Sequence, residues 1–198
     1  MDALLLRHAG APDVDDRALI SQIERLAESL AHARIGVHRA LSTPTTYAYF
    51  ESADADRSAL ERAARSLPAF SNGSLTVDRL ERKLEPRAAS AGEPAPFFYV
   101  VETEAAPGWD DEIARWYDDE HMPGLASVKG CVRAQRFVNR DSGPWSHACY
   151  DLVAAEVLSS PAWLAVRATG WSDRVRPQFR NTTRTMFRSV PTTAPSAR

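Results

Sequence analysis

Cysteine is scarce in this chain of 198 residues: there are two, Cys131 and Cys149. They have no metal-ligand spacing, so no metal site is expected, and a reduced, intracellular setting is the simplest account of them. Long apolar runs are absent as well. The run from Ala3 to Leu6 is met at once by Arg7 and His8, too short for a signal peptide and far too short for a membrane span. The default expectation is therefore a cytoplasmic protein with no membrane partner. There is also no excess of one charge. Lysine and arginine number 24 against 26 aspartates and glutamates, a net −2 with the signs interspersed, and nothing suggests a nucleic-acid partner or an anionic surface. No segment carries a recognisable haem axial-ligand signature. What remains, 44% hydrophobic and 25% charged residues, describes an ordinary globular protein of one large or two small domains.

The stretch Glu85 to Pro96 has linker composition, with three prolines, a glycine and small residues. It divides the chain into halves, 1–86 and 96–190, joined by 87–95 and followed by a tail, 191–198, expected to be disordered. In the first half Ala3–Arg7 reads as a strand. Asp15 or Asp16 can cap a helix to about Ala33, with Leu19, Ile20, Ile23, Leu26, Ala27 and Leu30 as its apolar face. Gly36–Leu41 and Thr46–Glu51 read as strands, Asp56–Ser66 as a helix and Leu75–Leu80 as a strand. The second half repeats the order. Phe97–Glu102 is a strand, Trp109–His121 a helix, and Cys131–Val138 and His147–Val153 are strands. Pro161–Thr169 is a helix, with Thr183–Val190 the closing strand. Each half is then βαββαβ, a ferredoxin-like unit. The fold class is α+β. Two such tandem repeats would pack sheet to sheet as a pseudo-dimeric α+β barrel, because the face not covered by helices would otherwise be a large exposed apolar patch.

The richest chemistry lies in Trp116-Tyr117-Asp118-Asp119-Glu120-His121-Met122-Pro123. At about 100° per residue, Trp109, Ile113, Trp116 and Tyr117 share one helix face. Glu120 falls within that face and His121 on its shoulder, while Asp118 and Asp119 point elsewhere. A carboxylate and an imidazole beside an aromatic stripe suit acid–base work, since partial burial moves their pKa values toward neutrality. The structural alternative is a histidine at the negative end of a helix dipole and a glutamate paired with an arginine. Strand alternation puts His147, Cys149 and Asp151 on one face and Ala148, Tyr150 and Leu152 on the other. It likewise separates Arg133, Gln135 and Phe137 from Val132, Ala134 and Arg136. The apolar Val132 and Ala134 suit the helix side, so Arg133 and Gln135 are expected to face a cavity.

These residues resemble the dimeric α+β barrel superfamily, and its EthD-like members in particular. The resemblance rests on Trp116, Tyr117, His121 and Pro123, then Lys129-Gly130-Cys131, Arg133, Arg136 and Phe137, then Tyr150-Asp151-Leu152 and Ser160 to Ala168, and it spans roughly 96–190. The first half lacks the Trp-Tyr and His-x-Pro signature; His32, near the matching place, is followed by Ala33 and Arg34. It resembles a degenerate partner of the site-bearing second half. The superfamily's members include cofactor-free oxygenases, cyclases and isomerases, besides haem enzymes. The resemblance implies an enzyme without a dedicated cofactor, acting by proton abstraction on a small aromatic or polyketide-like ketone, lactone or quinol. Its ligand would be small, apolar and oxygenated, and a homodimer is possible. His121 would be the base, with Tyr117 and Glu120 assisting, and Glu120 could instead pair with Arg136. Trp116, Arg133, Arg136, Phe137, His147, Tyr150 and Trp163 would contact substrate, with Arg133 or Arg136 holding an oxyanion and Trp171 a possible rim residue. The competing class is a non-catalytic module that binds a small hydrophobic molecule or a partner. A third reading starts from Leu4-Leu5-Leu6-Arg7-His8, which resembles the nucleophile strand of histidine phosphatases; the order of elements argues against it.

Overall fold

The computed structural model describes residues 2–10, 14–28, 30, 34–52 and 56–192. His32 and Ala33 lie outside the described residues, as does the expected disordered tail from residue 193 onward. The chain divides into two compact units. The first comprises Met1–Glu81, Arg140–Ser142 and Phe187–Arg198, and the second Arg82–Asn139 and Gly143–Met186.

In the first unit, β1 (Asp2–Ala9), β2 (Arg34–Ala40), β3 (Thr45–Glu51) and β4 (Ser74–Leu84) are hydrogen-bonded in the order β4-β1-β3-β2, with the C-terminal part of β8 (Phe179–Val190) beside β2. The register sets Leu5 opposite Tyr49 on one side and Asp78 on the other. Helix α1 (Asp16–Glu28) starts where Asp15 Oδ1 accepts the Ala18 amide at 2.8 Å, and α2 (Arg57–Arg65) where Asp56 accepts the amides of Ser58 and Ala59. These are side-chain caps for amides that have no partner inside the helix. Leu19, Ile20, Ile23, Leu26 and Ala27, the apolar stripe of α1, are buried with Leu4, Leu6, Ala48, Phe50 and Val77 of the sheet. Each of these leucine, isoleucine, valine and phenylalanine side chains contributes about 1.5–3 kcal/mol on burial.

The second unit orders its strands β8-β5-β7-β6-β4, with β5 (Phe97–Ala105), β6 (Cys131–Asn139) and β7 (Ser146–Leu152) antiparallel. Its helical layer is broken into short pieces: α3 (Asp110–Trp116), α4 (Met122–Ala126), α5 (Pro161–Val166) and α6 (Gly170–Val175). The core lies between this layer and one sheet face, with Ile113, Trp116 and Leu125 against Ala134, Ala148, Tyr150 and Leu152.

The proline-rich stretch after β4 has no helix or strand, yet it is fixed. Ala89 donates to the Ala126 carbonyl at 2.8 Å, Ser90 donates to that of Cys131 at 2.9 Å, and Ser90 Oγ accepts the Gly130 amide at 3.0 Å. Composition of that kind marks the want of a regular element, which a set of specific hydrogen bonds can replace. The helix expected at Pro161–Thr169 stops at Val166. Thr169 instead caps α6, its Oγ1 accepting the Ser172 amide at 3.0 Å.

Candidate active site

Helix α3 does not run on regularly to His121. It begins with Asp110, Asp111 and Glu112, whose charges suit the positive end of a helix dipole. From Tyr117 to His121 the backbone widens into a π turn, in which the Met122 amide donates to the Tyr117 carbonyl five residues back. The cause is visible in the sequence. Pro123 has no N–H to give to the carbonyl of Asp119, and a widened turn tolerates the missing bond; the chain then continues as α4, with Pro123 in its first turn. Residues five apart come together in such a turn. The His121 ring lies on Trp116, with centroids 4.0 Å apart and planes at 21°, and Tyr117 meets His121 edge-on at 5.7 Å.

His121 therefore lies inside the unit, beside a pocket between the helical layer and the sheet. Trp116, Tyr117, His121 and Leu125 line it from the α3–α4 segment, and Trp163 and Arg167 from α5 and its end. Tyr99 and Val101 of β5, Tyr150 of β7, and Arg176, Phe179 and Arg184 at and along β8 complete it. The pocket has an enclosed cavity of about 30 Å³, and with its open mouth about 380 Å³ of space between atoms. Gly124 lets the neighbouring helix approach: a Cβ there would stand 2.8 Å from Val166 Cγ1, so glycine allows α5, which carries Trp163, to sit this close to α4.

The electrostatics are one-sided. Burial, reinforced by Arg167 and then Arg176, lowers the His121 pKa from an ordinary 6.5 to about 3, so the imidazole is neutral. Its Nδ1 is buried without a hydrogen-bond partner. Burial pushes the Tyr117 phenol well up, against the pull of Arg136, Arg184 and Arg176. Tyr150 is pushed up in the same way, and its hydroxyl donates to Met122 Sδ at 2.9 Å. The pocket thus offers neutral imidazole, protonated phenols, flat aromatic walls and guanidinium groups. It can take a planar oxygenated molecule, hold a proton on His121 once negative charge forms nearby, and donate hydrogen bonds to an oxygen.

Of the side chains singled out from the sequence, Trp116, Tyr117, His121, Tyr150 and Trp163 meet at this pocket. The expected position of a cavity facing Arg133 and Gln135 is corrected: the pocket lies on the opposite, helix-covered face of the sheet. Arg133 and Gln135 both donate to Glu85, at 2.6 and 3.1 Å. Glu120 does not reach the pocket, because the π turn breaks the helical wheel that placed it beside Trp116. It accepts the Thr169 hydroxyl at 2.6 Å and so helps to fix the start of α6. Nor does it pair with Arg136. That arginine is buried, bonds Asp118 at 3.1 Å, and lies 5.4 Å from the Tyr117 ring centroid and 5.6 Å from that of Trp145. It backs the pocket wall without lining it. Phe137 and His147 are cross-strand neighbours away from the pocket, His147 having Nδ1 3.5 Å from Glu102 and Nε2 3.0 Å from the Pro144 carbonyl. Trp171 turns outward to donate to Glu112 at 3.0 Å. Sequence reasoning missed Tyr99, Phe179, Arg167, Arg176 and Arg184. Arg167 stands one helical turn after Trp163, which was a usable signal; Arg176 follows a helix that the sequence did not announce.

In the first unit His8 is fully buried, with Nε2 on the Asn72 carbonyl and its ring edge-on to Phe70, the setting of a core histidine rather than an exposed nucleophile. Among the described residues no cluster of histidine, cysteine and carboxylate could hold a metal ion, and no helix is long and apolar enough to cross a membrane.

No protein-family model matches the chain, and no curated protein matches it by sequence. Solved structures do. An anthrone oxidase-like protein superposes with a TM-score of 0.65 at 16% identity, covering 96% of this chain and 91% of its own. A monooxygenase candidate from Fusobacterium nucleatum gives 0.62 at 10% identity, covering 96% and 93%. LmHde, a heme-degrading enzyme from Listeria monocytogenes, gives 0.57 at 7% identity, covering 95% and 99%. The chain has the dimeric α+β barrel fold of these proteins. The last comparison raises haem, and the pocket does not fit it. A tetrapyrrole is larger than the whole empty space of the pocket with its open mouth included, and the His121 ring is stacked on Trp116.

Proposed function

We propose that this protein is an enzyme that, without a dedicated cofactor, removes a proton from a small aromatic quinol or anthrone-like ketone and passes the resulting carbanion or enolate to dioxygen. The observation that carries this reading is His121: a buried, neutral imidazole with an unpartnered ring nitrogen, in an aromatic pocket. As the C–H or O–H proton leaves the substrate, the new negative charge makes protonated His121 favourable where it was not before. The Tyr117 hydroxyl, kept protonated by burial, can donate to the developing oxyanion. For a ring methylene the balance is CH₂ + O₂ → C=O + H₂O. The likeness to an anthrone oxidase-like protein and a monooxygenase candidate supports this chemistry. The same strand order in each unit, β4-β1-β3-β2 and β8-β5-β7-β6, supports reading the chain as tandem ferredoxin-like repeats of EthD type, divided near 87–95, with the active centre in the second.

The test is oxygen uptake and quinone formation with anthrone and with substituted hydroquinones. The wild-type chain should accelerate at least one of them over buffer. His121→Phe, which keeps a ring on Trp116, should lose at least ten-fold in kcat, and Tyr117→Phe a smaller factor. Equal turnover in wild type and both variants would remove these residues from the reaction. Binding of these compounds without any turnover would favour a ligand-binding module.

A further inference from the structure

We propose that the pocket's ligand is itself an anion: a flat aromatic ring carrying a carboxylate or an acidic phenol, held by Arg167, Arg176 and Arg184. This deepens the reading above by naming the substrate class, and it rests on the same pocket.

The argument begins with pairing. Five of the ten arginines of this unit have carboxylate partners: Arg82 and Arg133 on Glu85, Arg115 and Arg174 on Glu112, Arg136 on Asp118. The three that line the pocket do not; Arg167 and Arg176 are half-buried, whereas Arg184, like the two remaining arginines Arg87 and Arg180, is exposed. Among the described residues none of the three lining the pocket forms an ion pair, and their one contact, Arg176 Nη1 to the Arg167 carbonyl at 3.5 Å, is long. Asp173 and the Tyr117 phenol act the other way on Arg176, and burial, Arg167 and Arg184 outweigh them. Three guanidinium groups without counter-charge repel one another, and that repulsion falls when an anion enters. No carboxylate lines the pocket to compete for them.

The remaining walls say what the anion is attached to. Trp116, Tyr117, Tyr150, Trp163 and Phe179 present ring faces and edges, with Tyr117 and Phe179 nearly parallel at 6.1 Å. A bare phosphate would leave these surfaces wet; an aromatic acid covers them and brings its charge to the arginines. The enclosed cavity is only about 30 Å³, so a ligand of one or two rings sits in the open mouth, against these walls and beside the arginines. His121, neutral and unprotonated, adds a ring nitrogen instead of a fourth cation, so the anionic end and the reacting end of one ligand can be told apart within the site.

Calorimetric binding of 2-naphthoate, 2-naphthamide and 4-nitrophenolate tests this. The acid should bind at least ten-fold more tightly than the isosteric amide, and the preference should weaken with added salt. Arg176→Gln and Arg167→Gln should each lower affinity for the acid several-fold and leave affinity for the amide unchanged, with unaltered circular dichroism. Preference for nitrophenolate over naphthoate would assign the anion as a phenolate, still within the proposal. Equal binding of acid and amide, or acid binding untouched by either arginine variant, would overturn it. The two readings fail separately. Selective acid binding without turnover of any quinol leaves the anion site standing and removes the catalytic reading; turnover of neutral quinols without any acid preference does the reverse.

Discussion

Replacing His121 by phenylalanine should make the protein more resistant to mild acid. In the folded chain burial holds His121 neutral, with a pKa of about 3 against an ordinary 6.5. The unfolded chain therefore binds a proton that the folded chain does not, at every pH between those values. The stability that follows from a neutral His121 is fully present above 6.5 and falls as pH drops toward 3, by about 1.4 kcal/mol per pH unit. Between about pH 8 and about pH 5 the loss is ~2 kcal/mol for this one group. His38, buried in the first unit and likewise lowered to about 3 by burial alone, adds a similar loss to the whole chain. Asp16 contributes nothing in this window: two arginines, Arg188 and Arg39, hold it at about 2, so its stabilisation fades only below an ordinary 3.8. The variant keeps a ring on Trp116 and removes only the titration. Urea unfolding followed by tryptophan fluorescence is a suitable assay, since all five tryptophans belong to the second unit. Wild type should lose ~2 kcal/mol more than His121→Phe between the two pH values. An equal loss in both proteins would mean that His121 is protonated in the fold, and the account of the pocket's electrostatics would fail.

Further outcomes follow from packing. Gly124→Ala puts a methyl group 2.8 Å from Val166, and should cost about 1–3 kcal/mol in thermal unfolding while displacing α5, with Trp163 and Arg167, from the pocket. Thr169→Ala removes both the cap of α6 and the bond to Glu120, and should cost about 1–2 kcal/mol, with Glu120→Gln milder because an amide oxygen can still accept. Cys131 is buried and its thiol is pushed up to about 12 by burial and then Asp151. It should resist a disulfide reagent in native buffer and react in urea; rapid native labelling would contradict that burial.

Much of the architecture was legible in the sequence because it depends on local signals. Asp15 announces its helix by capping, and the alternation of β7 separated Ala148, Tyr150 and Leu152 from His147, Cys149 and Asp151, though it did not say which set meets the helices. The Trp116–His121 cluster was legible as chemistry, but its geometry was not. A helical wheel assumes a constant turn, and Pro123 breaks that assumption four residues upstream, at the carbonyl it cannot bond. His121 gains a stack on Trp116 as a result, and Glu120 loses the place that the wheel gave it. The face of the cavity was misjudged for a different reason. Apolar Val132 and Ala134 suited the helix side, which left Arg133 and Gln135 to face a cavity, yet both bond Glu85, far off in sequence. The pocket instead opens where short helices leave the sheet incompletely covered. Arg176 escaped notice because α6, which delivers the chain to β8, has too short an apolar pattern to be recognised, and Arg184 because nothing in the sequence of β8 marks one of its arginines as facing the pocket.

The most direct test is a crystal structure of the protein soaked with 2-naphthoate. The account predicts ring density at the pocket mouth, against Phe179 and Tyr99, the carboxylate against Arg167 and Arg176, and His121 in contact with the ligand. Density for the acid at any other place, with this pocket closed by its own side chains, would contradict the claim that the protein works here.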